Sequence, residues 1–482
     1  MNEYTRFLST GILAAEWIIR IGLTIVVVLR HKPSSALAWL AFINFEPIIG
    51  LCAYLVLGRN LISPERVRRH REIVDKVVPH LHDDVLKSSI ASPDDIVDAH
   101  LRDLVRLAGA LSGLPAVGKN ACEFIADPDD LLRRMVEDID RARHHCHLLF
   151  YIWRDDAVGR ALGEALIRAS ARGVQCRVLV DAVGGRSMLK KQAPVLRRAG
   201  VSVVPALPVS WFRRKVARID VRNHRKIVVI DGRIAYVGSH NITEPRYGSR
   251  RHGPWRDLSA RLQGPAVHEV QAVFAEDWFS ECSGDPPPPT SWFPPPRHAG
   301  DVPIVVVPSG PADRPQALRD LMIAAVHEAD RRIILTTPYF IPDEAFLLAL
   351  RLAARGGVQV DVVVPARSNK PLVQAAGEAC YDELLDAGVR IRLHQDGLLH
   401  SKTLTIDDTF ALIGSGNSDQ RSFELDYEMT LVLLGTRAST ELRLLQEGYI
   451  SKAQCLDPKG WKARPLLTRF KQDLARLTGP LL

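Results

Sequence analysis

The 482-residue sequence contains no Cys-x-x-Cys pair. Its seven cysteines (Cys52, Cys122, Cys146, Cys176, Cys282, Cys380 and Cys455) are odd in number and scattered. That argues against a disulfide framework and a structural zinc site, and fits a reducing, cytoplasmic setting for the bulk of the chain. Acidic residues are in deficit: 55 Asp and Glu face 63 Lys and Arg, a net charge of +8. Anionic partners are therefore admissible, nucleic acid and acidic lipid alike, and charge alone does not choose between them. Nor is the chain short of apolar residues, which at 46% can fill two or three domain cores. Met1 to Arg6 has little positive charge and no clean small-x-small site follows, so the apolar opening does not read as a cleaved signal.

Two apolar runs open the sequence. The first, Phe7 to Leu29, is interrupted by Glu16 and Arg20 and reads equally as a full span or a re-entrant helix. The second, Ala36 to Leu57, is long enough to cross a hydrocarbon core of about 30 Å at helical rise. It holds Asn44, Glu46 and Pro47, each costly in lipid, and the alternative is a buried core helix. Arg59, Arg66, Arg68, Arg69 and Arg71 crowd its exit and by the positive-inside tendency place the rest of the chain in the cytoplasm. Arg30 and Lys32 in the connector leave the topology of the first run open. Residues 60–114 read as a charged helical connector along the membrane surface.

Beyond it the chain repeats itself. Helix 130–143, strand 148–153, helix 157–171 and strand 175–181 are matched by helix 314–329, strand 332–339, helix 343–355 and strand 358–364. Both units then reach an Ala-Gly-Val, at Ala199 and at Ala387. Alternating helices and β-branched strands predict an α/β fold of two similar lobes, 115–284 and 301–482, each a central β-sheet flanked by helices, behind an N-terminal helical membrane anchor at 1–59. The stretch Asp285 to Pro296 holds seven prolines and predicts a stiff linker (285–300), with the site where the lobes face each other.

Each unit carries the same chemical signature. His224-x-Lys226 leads through an apolar run to Asp231 and then Gly238-Ser239-His240-Asn241. His400-x-Lys402 leads likewise to Asp407 and Gly414-Ser415-Gly416-Asn417, with every offset identical. One His-x-Lys is usually a satisfied core histidine; two copies at one spacing are not coincidence. Alternation at the head of a strand puts His and Lys on one face, and a turn at the Asp returns a second strand that delivers Ser and Asn. Lysines can neutralise a phosphate while Ser and Asn donate to its oxygens. One histidine can attack phosphorus and the other protonate the leaving alkoxide. The scheme calls for no metal and no other cofactor, because lysine charge does the work of a divalent ion.

At these residues the chain resembles the phospholipase D superfamily and, within it, the bacterial cardiolipin synthases. The similarity runs over nearly the whole chain from Ala38-Trp39-Leu40, through Arg222-Asn223-His224-Arg225-Lys226, Trp255-Arg256-Asp257, Thr337-Pro338-Tyr339-Phe340-Ile341-Pro342 and Leu399-His400-Ser401-Lys402, to Asp419-Gln420-Arg421-Ser422-Phe423. The resemblance implies His224, Lys226, Asp231, His400, Lys402 and Asp407 as the catalytic motif residues, the two aspartates holding turns. It implies a phosphatidyl group passing from phosphatidylglycerol to His224, then to the hydroxyl of a second phosphatidylglycerol, with His400 as general acid and base. Asp257 and Glu428 match the carboxylates that brace the histidines across the lobes. Ser239, Asn241, Ser415 and Asn417 support them. It further implies anionic membrane lipid as partner, no nucleic acid, and a bacterial inner membrane with the lobes on the cytoplasmic side. Lipid hydrolysis is the alternative, with a membrane-tethered nuclease or an inactive duplicated fold behind it.

One stretch departs from the family: after Asn241 come Ile242-Thr243-Glu244-Pro245-Arg246-Tyr247 in place of Ile-Gly-x-Glu-Tyr, in a loop expected to border substrate. Trp211-Phe212-Arg213-Arg214-Lys215 reads equally as a membrane-surface contact or a solvated loop. His144-His145-Cys146-His147 reads as packing rather than a metal cluster, since neighbours on a strand point to opposite faces. The tail from Pro465 is amphipathic and suited to packing on the lobes or the membrane surface.

Overall fold

The computed structural model describes residues 3–30, 33–58, 62, 64–77, 90, 99–208, 220–246, 253–282, 292–312, 314–477 and 479. Most of loop 243–252 and the aromatic-basic stretch 211–215 lie outside them.

The N-terminal helices form a compact unit of their own. The first helix runs unbroken from Glu3 to Arg30, with Arg20 paired to Glu16 at 3.4 Å. The second apolar run is not one helix, contrary to the expectation of a single span over Ala36 to Leu57. It forms Pro33–Phe45 and Pro47–Leu57, separated at Glu46, whose backbone is not helical (φ −136°, ψ 86°). The cause is Pro47, which has no N–H to donate and drives the residue before it out of helical geometry. Helices of 13 and 11 residues reach only about 20 and 17 Å at 1.5 Å per residue. Among the described residues no helix is long and apolar enough to cross a membrane. The unit has a small core of Val27, Ala36, Ile43 and Tyr54, with Trp39 set edge-on to Tyr54 at 5.3 Å.

The rest of the described chain is a second compact unit built on one 15-stranded sheet. At its centre Val117–Ile125 pairs antiparallel with Val302–Ser309. Outward from Val117–Ile125 the order is Ser259–Gln263, Ile234–Gly238, Ile227–Ile230, His145–Phe150, Gln175–Asp181 and Ser202–Ala206. Outward from Val302–Ser309 it is Glu428–Leu434, Phe410–Gly414, Thr403–Ile406, Arg332–Thr336, Gln359–Pro365 and Arg390–His394, with Ala453–Cys455 added at the edge. The two halves thus repeat one strand order and share one sheet. Their central strands are buried on both faces and for that reason carry unbroken apolar runs, such as Ile227–Ile230 and Ile304 to Val307.

Most expected elements appear within three residues of their predicted ends, and 157–171 and 175–181 coincide. The strand expected over 148–153 instead spans His145–Phe150. Its histidines are accommodated because the His147 ring stacks on Phe274 at 4.7 Å and its Nδ1 meets Gln271 Oε1 at 3.0 Å. The other ring nitrogen faces Arg177 at 3.3 Å, so His147 is spent on packing and hydrogen bonding.

The two described helices of the connector belong to this body. In helix Ala99–Ser112 the residues Leu101, Leu104, Val105 and Ala108 fall on one helical face and join the core of the second half. Each such Leu or Val contributes about 1.5–3 kcal/mol by burial. Helix Pro64–Val77 packs on helix Ala266–Glu281, which is buried from Ala266 through Phe279. Arg66 pairs with Glu281, and Arg69 reaches the Phe279 carbonyl at 3.2 Å and that of Cys282. These two arginines, part of the basic cluster expected to set membrane orientation, therefore satisfy the C-terminal end of a core helix. The described part of the proline-rich linker also lies against the first half. Trp292 is buried beside His147 at 4.2 Å, and the Ala299 N–H donates to the Lys119 carbonyl at 3.0 Å.

Candidate active site

The two His-x-Lys motifs sit just ahead of the strands Ile227–Ile230 and Thr403–Ile406, not within them. What orders them is the other half of the molecule. The His224 N–H donates to the Tyr427 carbonyl at 2.9 Å, and the His400 N–H to the Arg256 carbonyl at 2.9 Å. Tyr427 and Arg256 each precede a carboxylate residue. Glu428 then accepts from His224 Nδ1 at 3.0 and 3.1 Å, and Asp257 from His400 Nδ1 at 2.6 Å. Each histidine is thereby fixed by backbone and side chain of the opposite half, with its Nε2 edge left for chemistry.

The Gly-Ser-x-Asn segments support the carboxylates. Ser239 Oγ donates to Asp257 Oδ1 at 2.6 Å and accepts the Leu258 N–H at 2.9 Å. Ser415 Oγ donates to Glu428 Oε2 at 2.5 Å and accepts the Met429 N–H at 2.9 Å. The serines thus hold the braces rather than facing a phosphate, because a buried hydroxyl beside a carboxylate gives its proton there. The preceding glycines permit the approach: a Cβ on Gly238 would lie 2.4 Å from the Leu258 carbonyl oxygen, and one on Gly414 2.3 Å from that of Met429. Asn241 Oδ1 accepts the Ile152 N–H at 3.1 Å, and Asn417 Nδ2 donates to Asp419 Oδ2 at 3.1 Å. The asparagines are thus also tied to neighbouring loops.

Asp231 and Asp407 stand at the far ends of the motif strands, in left-handed turn positions with φ of 53° and 50°. Asp231 accepts the N–H groups of Arg143, His144 and His145 at 2.8, 2.7 and 2.9 Å. Asp407 takes those of Asp330, Arg331 and Arg332 at 3.0, 2.9 and 2.8 Å. They fasten turns, and their carboxylates are spent on those N–H groups at the ends of the strands away from the histidines.

Lys226 Nζ donates to the His224 carbonyl at 2.6 Å and Lys402 Nζ to that of His400 at 2.5 Å. An ammonium has three protons, so each lysine keeps two for an anion. Burial pulls His224 down to about 4, partly offset by Glu428. Burial, then Lys402, pulls His400 down to about 3 against the opposing charge of Asp257. Each histidine also feels the lysine of the other half, as one shared volume requires. Glu428 is lowered to about 2 and Asp257 is held low as well; burial opposes ionisation, and the histidines and lysines overcome it. Burial brings Lys226 down to about 8 and Lys402 well below its ordinary value.

Several contributors carry no signal in the motif spacing. Ser422 Oγ donates to Glu428 Oε1 at 2.9 Å, Tyr151 lies 4.8 Å edge-on to His224, and Trp255 lies 4.4 Å from the His400 ring. Arg225, the middle residue of the first motif, ties the halves: it donates to the Glu428 carbonyl at 2.9 Å, Asp277 at 2.8 Å and the Ser309 carbonyl at 3.1 Å. Ser401 in the second motif has no such reach. Replacing Asp277 by Ala strands a buried guanidinium and should cost about 3–5 kcal/mol. Urea denaturation would report this, and a loss below about 1 kcal/mol would show that this buried pair contributes no more than a surface one.

The arrangement is a pair of neutral imidazoles, two ammonium groups and two ionised carboxylates around one volume, suited to phosphoryl transfer through a histidine. A family model described as cardiolipin synthase, phospholipase D-like domain, matches residues 135–278 and 322–445. A second, described as phospholipase D-nuclease N-terminal, matches 20–59. Cardiolipin synthase A of Klebsiella pneumoniae (strain 342) is 34% identical over 488 residues, covering 100% of each chain. Cardiolipin synthase A of Salmonella paratyphi B is 33% identical over 489 residues, again covering 100% of each. Among solved structures, the phosphatidylserine synthase of Haemophilus influenzae has a TM-score of 0.59 at 15% identity, covering 79% of this chain and 100% of that one, a likeness of fold. The duplicated site and the full-length similarity together make this chain a member of the cardiolipin synthase family of phospholipase D-like enzymes.

Proposed function

We propose that the protein joins two phosphatidylglycerol molecules into cardiolipin and glycerol through a phosphohistidine at His224. The observation that carries this is the crossed bracing of two histidines by carboxylates of opposite halves, in a chain similar to cardiolipin synthases from end to end. His224 Nε2, neutral because it is buried, attacks phosphorus while Glu428 holds its Nδ1–H. The bond from phosphorus to the glycerol oxygen breaks, and His400 Nε2–H gives that oxygen its proton. The substrate's negative charge is what raises His400 enough to carry the proton in. His400 then takes the proton of the second phosphatidylglycerol's hydroxyl, whose oxygen attacks phosphorus and expels His224. Lys226 and Lys402 neutralise the phosphate throughout.

In this reading residues 115–284 and 301–482 are lobes of one catalytic body, and residues 1–59 hold it to the bacterial inner membrane with the body on the cytoplasmic side. The outward-facing Trp17, Ile18, Ile21, Ile25 and Leu29 of the first helix support a lipid setting for that segment.

The test is to give the purified protein phosphatidylglycerol in mixed micelles and resolve the products. Cardiolipin with an equal amount of glycerol is the expected result. Phosphatidic acid would mean that water is the acceptor, and cleavage of single-stranded DNA without lipid turnover would overturn the lipid reading. The pH profile gives a further check. Lys226 and Lys402 must both be charged to hold the phosphate and burial lowers both, so kcat/KM should show an alkaline limb that sets in no higher than about 8. An alkaline limb that begins only above about 10, where an ordinary lysine titrates, would contradict this.

A further inference from the structure

Helix Leu466–Arg476 is strongly amphipathic, yet its apolar face is turned outward. Leu466, Leu467, Phe470 and Leu474, with Leu477 just beyond the helix, are 54–79% exposed. At 100° per residue they form one stripe roughly 100° wide. The opposite face is held against the body by polar contacts. Gln472 donates to Glu378 at 2.8 Å and accepts from Arg464 at 2.8 Å, while Arg476 reaches Glu344 at 3.0 Å and Glu383 at 3.2 Å. Arg464 in turn is forked onto Asp382 at 2.8 and 2.6 Å. Hydrophobic burial within the chain would have rotated this helix by half a turn; the ion pairs hold it the other way.

The buried face of the same helix is linked to the second motif. Ala475 packs with Tyr339 and Ile341, and Phe340–Ile341 pairs with Ser418–Asp419, the residues that follow Asn417 of the second motif. Of the six Lys and Arg between Asp457 and Leu477, Lys462, Arg464 and Arg476 are paired to Asp386, Asp382 and Glu344, whereas Lys459 and Lys471 are exposed; at 100° per residue Arg469 and Lys471 flank the stripe on its two sides. An anionic surface complements those flanking cations, whereas a second copy laid on this face would bring them against one another.

We propose that Leu466–Arg476 is a membrane-docking helix that lies in the interfacial plane of a bilayer rich in anionic phospholipid. Its leucines and Phe470 enter the acyl region, and the flanking cations meet the headgroups. This contact is separate from the N-terminal helices and rests on the reading that the substrate is a phospholipid: it keeps the second motif at headgroup level, where that substrate's phosphate lies.

Two measurements on the full-length protein test it. First, Phe470→Cys, with the exposed Cys52 and Cys455 replaced by Ser, is labelled with nitrobenzoxadiazole. Emission should shift to the blue in vesicles containing phosphatidylglycerol and much less in phosphatidylcholine alone. This readout needs no turnover, so it survives or fails independently of the transferase reading. No shift in anionic vesicles would overturn the proposal, as would a shift on raising protein concentration without lipid, which would assign the face to a second copy. Second, L467E/F470E/L474E should lower turnover of long-chain phosphatidylglycerol in vesicles by about tenfold and leave that of monomeric dihexanoyl phosphatidylglycerol within about twofold. Equal effects on both substrates, including none on either, would also overturn it.

Discussion

Replacing His224 by Ala should remove the covalent intermediate and lower cardiolipin formation by about 10⁴-fold or more, because the two-step route has no other nucleophile. His400→Ala should behave differently. It removes a proton donor from a leaving group that needs one, at a cost of roughly 10²–10⁴. A phosphatidyl ester of 4-nitrophenol leaves without a proton, so His400→Ala should still form the intermediate from it at a rate near that of the unmodified protein. His224→Ala should gain nothing from the same substrate. The assignment draws on the resemblance and on access: the His224 side chain is 13% exposed against 4% for His400. Acid quenching with ³²P-labelled phosphatidyl donor and peptide mapping would decide it. Label on His400, or rescue of His224→Ala by the activated ester, would exchange the two roles.

How far this site could be read from the sequence follows from which contacts are local. The duplicated spacing is local, so His224, Lys226, His400 and Lys402 stand out, and so does the hairpin that returns from Asp231 to Ser239. The direction of Ser239 and Ser415 is not local. It depends on strands 259–263 and 428–434 lying against Gly238 and Gly414, and that pairing turns the hydroxyls toward Asp257 and Glu428. Arg225 is hidden for the same reason, since its partners Asp277, Ser309 and Glu428 are distant in the chain. The two lobes are legible as a repeat of helices and strands. Their fusion is not, because the joining pair of Val117–Ile125 with Val302–Ser309 has no pattern beyond that of any buried strand. The break in the second apolar run has a local cause that is visible in the sequence: apolar length favours one helix, but Glu46-Pro47 decides the geometry.

The carboxylate braces give a second large and asymmetric prediction. Glu428 uses both oxygens as acceptors, Oε1 from Ser422 and Oε2 from Ser415, with His224 Nδ1 between them. In Glu428→Gln one of these oxygens becomes an NH₂ and must face a donor. If that donor is Ser415, its hydroxyl cannot simply turn, since its oxygen already receives the Met429 N–H. The conflict resolves by displacing His224 or by switching its tautomer, which places the proton on the atom that should attack phosphorus. A loss of about 10³–10⁴-fold in turnover follows, as for other histidines deprived of their carboxylate. Asp257→Asn is milder. Ser239 and His400 both donate to the same Oδ1, so an amide oxygen in that position keeps the geometry and gives up only the charge that steadies the imidazolium. Roughly 10²-fold is expected there, with the loss shrinking for the activated ester because no imidazolium need give up its proton. Rates for both variants on phosphatidylglycerol and on the ester would test this. Equal losses on both substrates for Asp257→Asn, or a smaller loss for Glu428→Gln than for Asp257→Asn, would show that the braces act by packing rather than through the protons of His224 and His400.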